Sequence, residues 1–240
     1  MKTVIIDQRA SRDVISSLHM LGYSVLSLPP FSRLGEAVAS HTDMLIARVG
    51  NTYFSHAEYC DEHPYIFDDL YNYLAPSGAC FSFVSDAVSP EYPKDAVLNI
   101  LTMGDKVFCR TDSVSRTLMS HLKSLGKAVI GVKQGYPRCT VLKLTDSSAV
   151  TADRGMAKAL INEGIRVTLI EEGHISLPPY KYGFIGGCAG IDGDCVYFAG
   201  CIEEHPSYNE IRSAIEAEGL FPVSLGRGRL HDVGGILFCE

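Results

Sequence analysis

The chain has 240 residues and a formal net charge of −7, and Lys and Arg form no basic cluster in it. An acidic chain of this kind is a poor match to nucleic acid or to an anionic membrane, so we expect neither partner. Its length is sufficient to bury a core without a disulfide or a metal, and no apolar run approaches the length of a membrane span.

The first segment is a short apolar strand that ends at Asp7, and it lacks the long apolar region of an export signal. The chain has eight cysteines and no Cys-x-x-Cys pair. Cys188, Cys195 and Cys201 are too far apart in sequence for the usual zinc spacing. We therefore predict a cytoplasmic protein with reduced, mostly buried thiols and with no metal or cofactor.

One junction recurs along the chain, in which a helix-like segment ends at a glycine and an apolar strand follows at once. The five glycines are Gly22, Gly78, Gly126, Gly164 and Gly219. A glycine in the left-handed conformation after the last helical turn is a common helix stop. The recurrence predicts five copies of one structural unit.

Two further strands precede each helix, so each unit reads strand–strand–helix–strand. The first strands of the units are predicted to begin near residues 44, 96, 141, 184 and 233. The last unit takes its first strand from the C-terminal segment and the rest from residues 2–28, which predicts a closed ring. We thus expect one α/β domain over residues 1–240, a propeller with fivefold pseudo-symmetry. An open Rossmann-like sheet is less consistent with the sequence, because it needs one strand per helix and a glycine-rich first turn.

Three strings are the most distinctive. They are His41-Thr42-Asp43-Met44, the segment 183–190, and His231-Asp232-Val233-Gly234-Gly235 before Cys239. With the five units, they resemble the pentein superfamily of guanidino-group-modifying enzymes, and most of all a branch of that fold for which no activity is implied. The superfamily also includes a non-catalytic ribosome anti-association factor.

The resemblance implies a set of site residues. In the family's enzymes a thiolate near the C-terminus attacks the guanidinium carbon, a histidine acts as acid and base, and carboxylates hold the cation. Carried over, it gives Cys239 as the nucleophile, with Cys188 as an alternative thiol. His41 or His231 would be the acid/base, and the candidate carboxylates are Asp43, Asp95 and Asp232.

Two more kinds of residue are candidates for binding a small polar or cationic ligand in the central channel. Gly186 and Gly187 would let the backbone approach a ligand, although glycine also marks crowded strands. Arg48 is a charge in an apolar inner strand, where it either faces a ligand or pairs with an acidic neighbour. The aspartates have an alternative role as turn caps, the histidines as turn residues, and Cys239 as a buried end of a strand.

The chain also departs from the family's enzymes. Their His-x-Asp string lies in the middle unit, where this chain has Arg138-Cys139-Thr140, and there is no Glu-Gly-Gly string. Two functions therefore stay open. The first is a hydrolase or transferase that acts on a guanidino- or amidine-type C–N bond through a cysteine, and the second is a non-catalytic binding module of the same fold.

Overall fold

The computed structural model describes residues 2–239, so both end residues of the predicted domain lie outside the described residues. The strands are β1 Thr3–Asp7, β2 Ser24–Leu28, β3 Ile46–Val49, β4 Thr52–His56, β5 Cys80–Val84, β6 Leu101–Met103, β7 Lys106–Cys109, β8 Ala128–Gly131, β9 Val141–Thr145, β10 Ser148–Thr151, β11 Arg166–Leu169, β12 Ala189–Asp192, β13 Cys195–Phe198, β14 Phe221–Ser224 and β15 Leu237–Cys239. The helices are α1 Arg12–Met20, α2 Thr42–Leu45, α3 Ala57–Glu62, α4 Pro64–Leu74, α5 Arg116–Ser124, α6 Pro137–Thr140, α7 Arg154–Asn162 and α8 Tyr208–Ala217.

The strands form five separate three-stranded sheets with one topology. In each sheet the first strand is antiparallel to the middle strand, and the third strand is parallel to it after a helical crossover. The first strand of the fifth sheet is β15, which pairs with β1, with Thr3 opposite Cys239. All five first strands line one central cavity, so they form the inner wall of a ring. The predicted α/β propeller of five β–β–α–β units is confirmed.

The five glycine junctions are also as predicted. Each of these glycines has a positive φ, from +66° at Gly126 to +88° at Gly22. Only glycine adopts this conformation without steric cost, and it lets the chain leave the helix and enter the third strand at once. The amide of Gly22 donates to the carbonyl of His19, and the amide of Tyr23 to that of Leu18, which satisfies carbonyls that the helix end leaves free.

The apolar core lies between each sheet and its outer helix. In the second sheet, for example, Leu118 and Leu122 of α5 pack on Val107 of β7, and all three are fully buried. Their spacing on the helix places both leucines on one face, as the sequence pattern requires. None of the helices in residues 2–239 is long and apolar enough to cross a membrane.

Three inner strands begin later than the sequence pattern predicted. Regular pairing starts at Leu101, Ala189 and Leu237 rather than near residues 96, 184 and 233. Before β15, for instance, Gly234 and Gly235 have φ values of +68° and +88°, which a strand cannot contain. The polar residues ahead of these strands therefore lie in loops, and the loops meet at one end of the ring.

Candidate active site

A cavity of about 500 Å³ opens where the loops before the inner strands meet. It is lined by Val38, His41, Met44, Pro90, Tyr92, Asp95, Tyr136, Cys139, Leu177, Tyr180, Lys181, Tyr182, Phe184 and Asp232. The lining combines a thiol, an imidazole and two carboxylates with five aromatic rings. Such a concave site with few convergent polar groups is typical of a small-molecule site.

His41, Cys139 and Asp232 meet on the wall of this cavity. One nitrogen of His41, the sulfur of Cys139 and one oxygen of Asp232 all lie within 4.8 Å of one another. The sulfur is 3.5 Å from both oxygens of Asp232, and Nδ1 of His41 is 3.8 Å from Oδ1. All three side chains are at least 95% buried from solvent. A thiol, a base and a carboxylate at this separation are the parts of nucleophilic catalysis.

Two backbone amides hold the carboxylate of Asp232 in place. The amide of Phe184 donates to Oδ2 at 2.8 Å, and the amide of Gly234 donates to Oδ1 at 3.0 Å. These bonds come from two different loops, so the position of Asp232 depends on the closed ring. Both carboxylate oxygens also face the Cys139 sulfur, each at 3.5 Å.

A second buried carboxylate, Asp43, lies behind His41. Its Oδ2 accepts a 2.7 Å hydrogen bond from Asn99 Nδ2, while its Oδ1 has no hydrogen-bond partner and is 4.0 Å from His41 Nδ1. Burial raises the pKa of Asp43, although the positive charges of His41 and Arg138 oppose that shift. An unpartnered buried carboxylate oxygen is costly, which makes a cation close to it favourable here.

Arg138 and Asn99 connect these loops. The Asn99 side chain accepts from the backbone amide of Arg138 at 3.0 Å. Nη1 of Arg138 donates to the carbonyl of Gly234 at 3.1 Å, and the same carbonyl accepts from the amide of Asp43. Residue 139, next in the chain, is thereby fixed relative to both His41 and Asp232.

The other nitrogen of His41 faces Asp7 at the end of β1. Nε2 is 3.9 Å from Asp7 Oδ2 and makes no hydrogen bond to a described residue. Asp7 is itself held by Arg9, whose Nη2 is 2.6 Å from Oδ2. His41 thus lies between three carboxylates, each of which has an oxygen within 4.0 Å of one of its ring nitrogens.

Close approach in this site depends on glycine. A Cβ added at Gly187 would overlap Oδ1 of Asp232 and lie 2.6 Å from the Cys139 sulfur. At Gly234 a Cβ would overlap the Cβ of His41 and lie 2.6 Å from Asp43 Oδ1. Both glycines are required by the side chains of the site rather than by a turn alone.

The thiol of Cys139 is strongly disfavoured as a thiolate by its surroundings in the protein. Burial raises its pKa well above the usual value, and the charges of Asp232 and Asp43 raise it further. A cation bound between these carboxylates would remove much of that repulsion. The site therefore couples ligand charge to the protonation state of its sulfur.

Asp95 lies on another wall of the cavity. Oη of Tyr136 donates to its Oδ2, and its Oδ1 has no partner among residues 2–239. Burial raises the pKa of Asp95, against the opposing effect of the Tyr136 hydroxyl. The ring of Tyr136 lies 5.3 Å from that of Tyr92, and aromatic faces next to a carboxylate suit a planar cation.

The sequence-predicted residues divide into two groups. His41, Asp43, Asp95, Asp232 and Gly187 are brought together here, and Gly186 packs behind them, where a Cβ would overlap the carbonyls of residues 138 and 141. The others lie outside the lining of this cavity. His231 is exposed and forms an isolated β-bridge with Ser176. Cys188 is buried in the core beside Ile185. Arg48 lines the central channel.

Cys239, the thiol carried over from the family, is buried in the core near Tyr53 and does not line either large cavity. Burial raises its pKa to about 11. Burial also raises the pKa of Cys188 well above its usual value. Among the described residues, no hydrogen bond joins either sulfur to an imidazole, while Tyr53 and Arg48 partly oppose the raised pKa of Cys239.

Sequence reasoning missed Cys139, Asn99, Arg138, Tyr136 and Asp7. Cys139 lies in α6, the one-turn helix before β9, at the position that Met44 occupies in α2 before β3, so its neighbours in sequence gave no signal. The roles of Asn99 and Asp7 depend on contacts between different units, which no local pattern indicates.

The same trio of His41, Cys139 and Asp232 has the donor types that bind Zn²⁺. The fit is incomplete, because the trio supplies three ligands and structural zinc sites use four. The carboxylate also already accepts two backbone hydrogen bonds. The donor set suits occasional capture of zinc better than a permanent structural centre.

Several solved structures with a similar fold are enzymes that act on guanidino compounds. Dimethylarginine dimethylaminohydrolase from Pseudomonas aeruginosa, a cysteine-to-serine mutant complexed with citrulline, has a TM-score of 0.58 at 12% identity, covering 94% of this chain and 92% of its own. The amidinotransferase SxtG of the saxitoxin pathway of Microseira wollei has a TM-score of 0.60 at 12% identity, covering 94% and 88%. Agmatine deiminase of C. jejuni has a TM-score of 0.57 at 6% identity, covering 94% and 87%.

The chain thus has the pentein fold, the fold of the guanidino-group-modifying enzymes. Within it, a family model matches residues 5–237, and the chain belongs to that family, the family of unknown function DUF6873. No curated protein matches the sequence.

Proposed function

We propose that this protein is a thiol-dependent enzyme that acts on a C–N bond of a small guanidine or amidine. The observation that carries the proposal is the convergence of Cys139, His41 and Asp232 within 4.8 Å on the wall of one cavity. Cys139 is the nucleophile, His41 the acid and base, and Asp232 a carboxylate that binds the cationic group. Fold likeness supports the reaction class by analogy, and the site geometry supports the residue roles.

The binding step prepares the nucleophile. A guanidinium or amidinium ion beside Asp232 and Asp95 offers N–H donors to carboxylate oxygens and its face to Tyr136. Its positive charge offsets the charges of Asp232 and Asp43, the two carboxylates that raise the pKa of Cys139. The thiol then gives its proton to His41, and the resulting thiolate attacks the central carbon.

The chemical steps balance with water as the second reactant. A new S–C bond forms, His41 returns its proton to the leaving nitrogen, and that C–N bond breaks to release an amine or ammonia. Water then adds to the S-bound carbon while His41 takes its proton, and the S–C bond breaks to release a substituted urea or an amide and the free thiol. An amine in place of water would make the same site a transferase.

A product assay tests the proposal. Arginine, agmatine, N-methylarginine and benzamidine are each incubated with the protein, and released ammonia or amine and the ureido or amide product are quantified. We expect turnover of at least one of these, loss of about 10³-fold or more in Cys139→Ser, and normal turnover in Cys80→Ser, whose thiol is exposed and distant from the site. A haloacetamidine should also alkylate Cys139 before the other seven thiols.

Persisting turnover in Cys139→Ser would contradict the assigned nucleophile. Cys239→Ser then identifies whether the C-terminal thiol acts instead, as the family pattern implies. Absence of both turnover and selective alkylation of Cys139 would contradict the proposal that the protein is an enzyme.

A second candidate is a non-catalytic module that binds the same cations. The observation that favours it is the raised pKa of Cys139, because a buried thiol beside two carboxylates resists ionisation. Titration calorimetry with arginine and agmatine separates the two functions. The module predicts equal binding by wild type and Cys139→Ser, with no product in either.

A further inference from the structure

A second cavity, of about 450 Å³, occupies the middle of the ring. Residues of all five inner strands line it, among them Arg48 of β3, Thr102 of β6, Lys143 of β9 and Leu237 of β15. Arg138, the residue before Cys139 in α6, also lines it. The carboxylates and aromatic rings of the first cavity are not part of this lining.

The lining of this cavity is positively charged, whereas the whole chain is negatively charged. Arg48, Arg138 and Lys143 are basic, and no acidic residue lines the cavity, although the whole chain has 28 acidic and 21 basic residues. A charged side chain on an inner strand either faces water and a ligand or pairs with an acidic neighbour. Three cations at this position are therefore a local feature rather than a reflection of composition.

Two of these cations, Arg48 and Lys143, are weakly compensated within the protein. Among residues 2–239, Arg48 forms no ion pair; its Nε donates to the carbonyl of Gly50, and its guanidinium lies over the Tyr53 ring. Lys143 pairs with Asp146 at 2.6 Å, but both side chains are at least one-third exposed, so this pair contributes little. Partly buried cations without a carboxylate favour an external anion.

We propose that this channel is a binding site for a small oxyanion with two or more negative charges, a phosphate or polycarboxylate compound. Arg48 of β3 and Lys143 of β9 bind it from either side of β6, and Thr102 of β6 offers a hydroxyl. Arginine and lysine together suit anionic oxygens, since one supplies a planar pair of donors and the other a compact charge. The cavity volume is within the range of small-molecule sites.

The site is separate from the proposed catalytic site and does not depend on the proposed function. Arg138 lies between the two, since its guanidinium lines the channel while its Nη1 donates to Gly234 beside Asp232. An anion in the channel is thus on the opposite side of Arg138 from a cation beside Asp232.

Titration calorimetry and thermal unfolding with sodium pyrophosphate and with sodium citrate test the proposal, each against sodium chloride at equal ionic strength. We expect saturable binding of one anion per chain and a rise in Tm that chloride does not reproduce. The stronger of the two ligands distinguishes phosphate from carboxylate chemistry. No saturable binding of either anion, or an equal effect of chloride, overturns the site.

Paired variants locate the binding. The double variant Arg48→Met and Lys143→Met should bind the anion more weakly, with a Kd about tenfold or more higher than that of the wild type. The matched control, Arg154→Met with Lys158→Met on the exposed side of α7, removes the same charge and should leave Kd within about twofold, because screening weakens distant charges. An equal loss in both pairs would show a general charge effect and contradict the site.

A measurement on the wild-type protein covers the case in which the paired variant fails to fold. Lys143 is partly exposed and open to acetylation. Pyrophosphate or citrate should slow acetylation of Lys143, read by mass spectrometry, and leave Lys158 unaffected. Equal rates at Lys143 with and without the anions would overturn the proposal.

Discussion

The sulfur of Cys139 lies 3.5 Å from both carboxylate oxygens of Asp232. This contact places a potential nucleophile beside the one charge that most opposes its ionisation after burial itself. In the proposed function, a thiol in this position reacts slowly with neutral compounds and becomes reactive when a cation neutralises the carboxylate. The contact would then select for cationic ligands.

Asp232→Asn should separate reactivity of the thiol from turnover. Loss of the carboxylate charge lowers the pKa of Cys139, so alkylation by neutral iodoacetamide near pH 8 should become faster, while turnover of a cationic guanidine should fall by about 10²-fold or more. Alkylation rate and kcat/KM measured on one preparation check both signs.

The matched control is Asp146→Asn, which removes a mostly exposed carboxylate on the β9–β10 turn and should change neither rate. The asparagine at position 232 can accept only one of the two backbone hydrogen bonds, so a stability loss of about 1–3 kcal/mol is expected. Slower alkylation in a folded Asp232→Asn protein would contradict the role given to Asp232.

Asp43 should make the stability of the protein depend on pH. Burial raises the pKa of Asp43 in the folded chain, so the folded state binds its proton more tightly than the unfolded state. That contribution is full below the unfolded pKa of about 3.9 and is lost as pH rises through the folded value. Relative to wild type, Asp43→Asn should become progressively more stable from about pH 4 to pH 7, measured by urea unfolding.

Asp105→Asn on the exposed β6–β7 turn is the control and should show no such trend. A difference between Asp43→Asn and wild type that stays constant over this range would show that the Asp43 carboxyl does not titrate with an altered pKa.

Gly234→Ala should damage the site more than the fold. Alanine at a positive φ costs about 1–2 kcal/mol anywhere, and Gly193→Ala, at a φ of +56° with open space around it, should show only that cost. At Gly234 the added methyl group overlaps His41, which adds about 1–3 kcal/mol and displaces the imidazole. Urea unfolding and turnover of the two variants give the comparison, and equal effects would contradict the packing argument.

Zinc should inhibit rather than activate. Zn²⁺ held by His41, Cys139 and Asp232 blocks the thiol, so micromolar zinc should slow alkylation of Cys139 and stop turnover, and a chelator should restore both. Cys139→Ser should lose most of the zinc affinity. Loss of activity on chelation, with metal retained through purification, would instead identify a metal centre.

The fold was predictable because its information is local and repeated. Gly78 and Gly164, for example, each end a helix in the left-handed conformation that their position in the sequence requires. The strand starts were less predictable, because Gly234 and Gly235 interrupt a run that reads as apolar strand. Their conformation is set by contact with residues 41 and 138, far away in the sequence.

The site was predictable in its acidic and imidazole parts and not in its sulfur. His41, Asp43 and Asp232 stand in recognisable strings, and the structure brings them together. Cys139 has no distinctive neighbours in sequence, and its proximity to Asp232 arises from two loops 93 residues apart. Which unit of a pseudo-symmetric ring carries the thiol is a property of the assembled ring, since equivalent positions recur in every unit.

The pairing of β1 with β15 also determines how the ring responds to tension. These strands are antiparallel, with Thr3 opposite Cys239 and Ile5 opposite Leu237, so residues 2 and 239 lie at the same end of the pair. Force applied between those residues loads the hydrogen bonds one after another rather than all together. In single-molecule pulling we expect low-force opening at this seam before the remaining sheets yield, with the two bonds that fix Asp232 lost soon after β15 detaches.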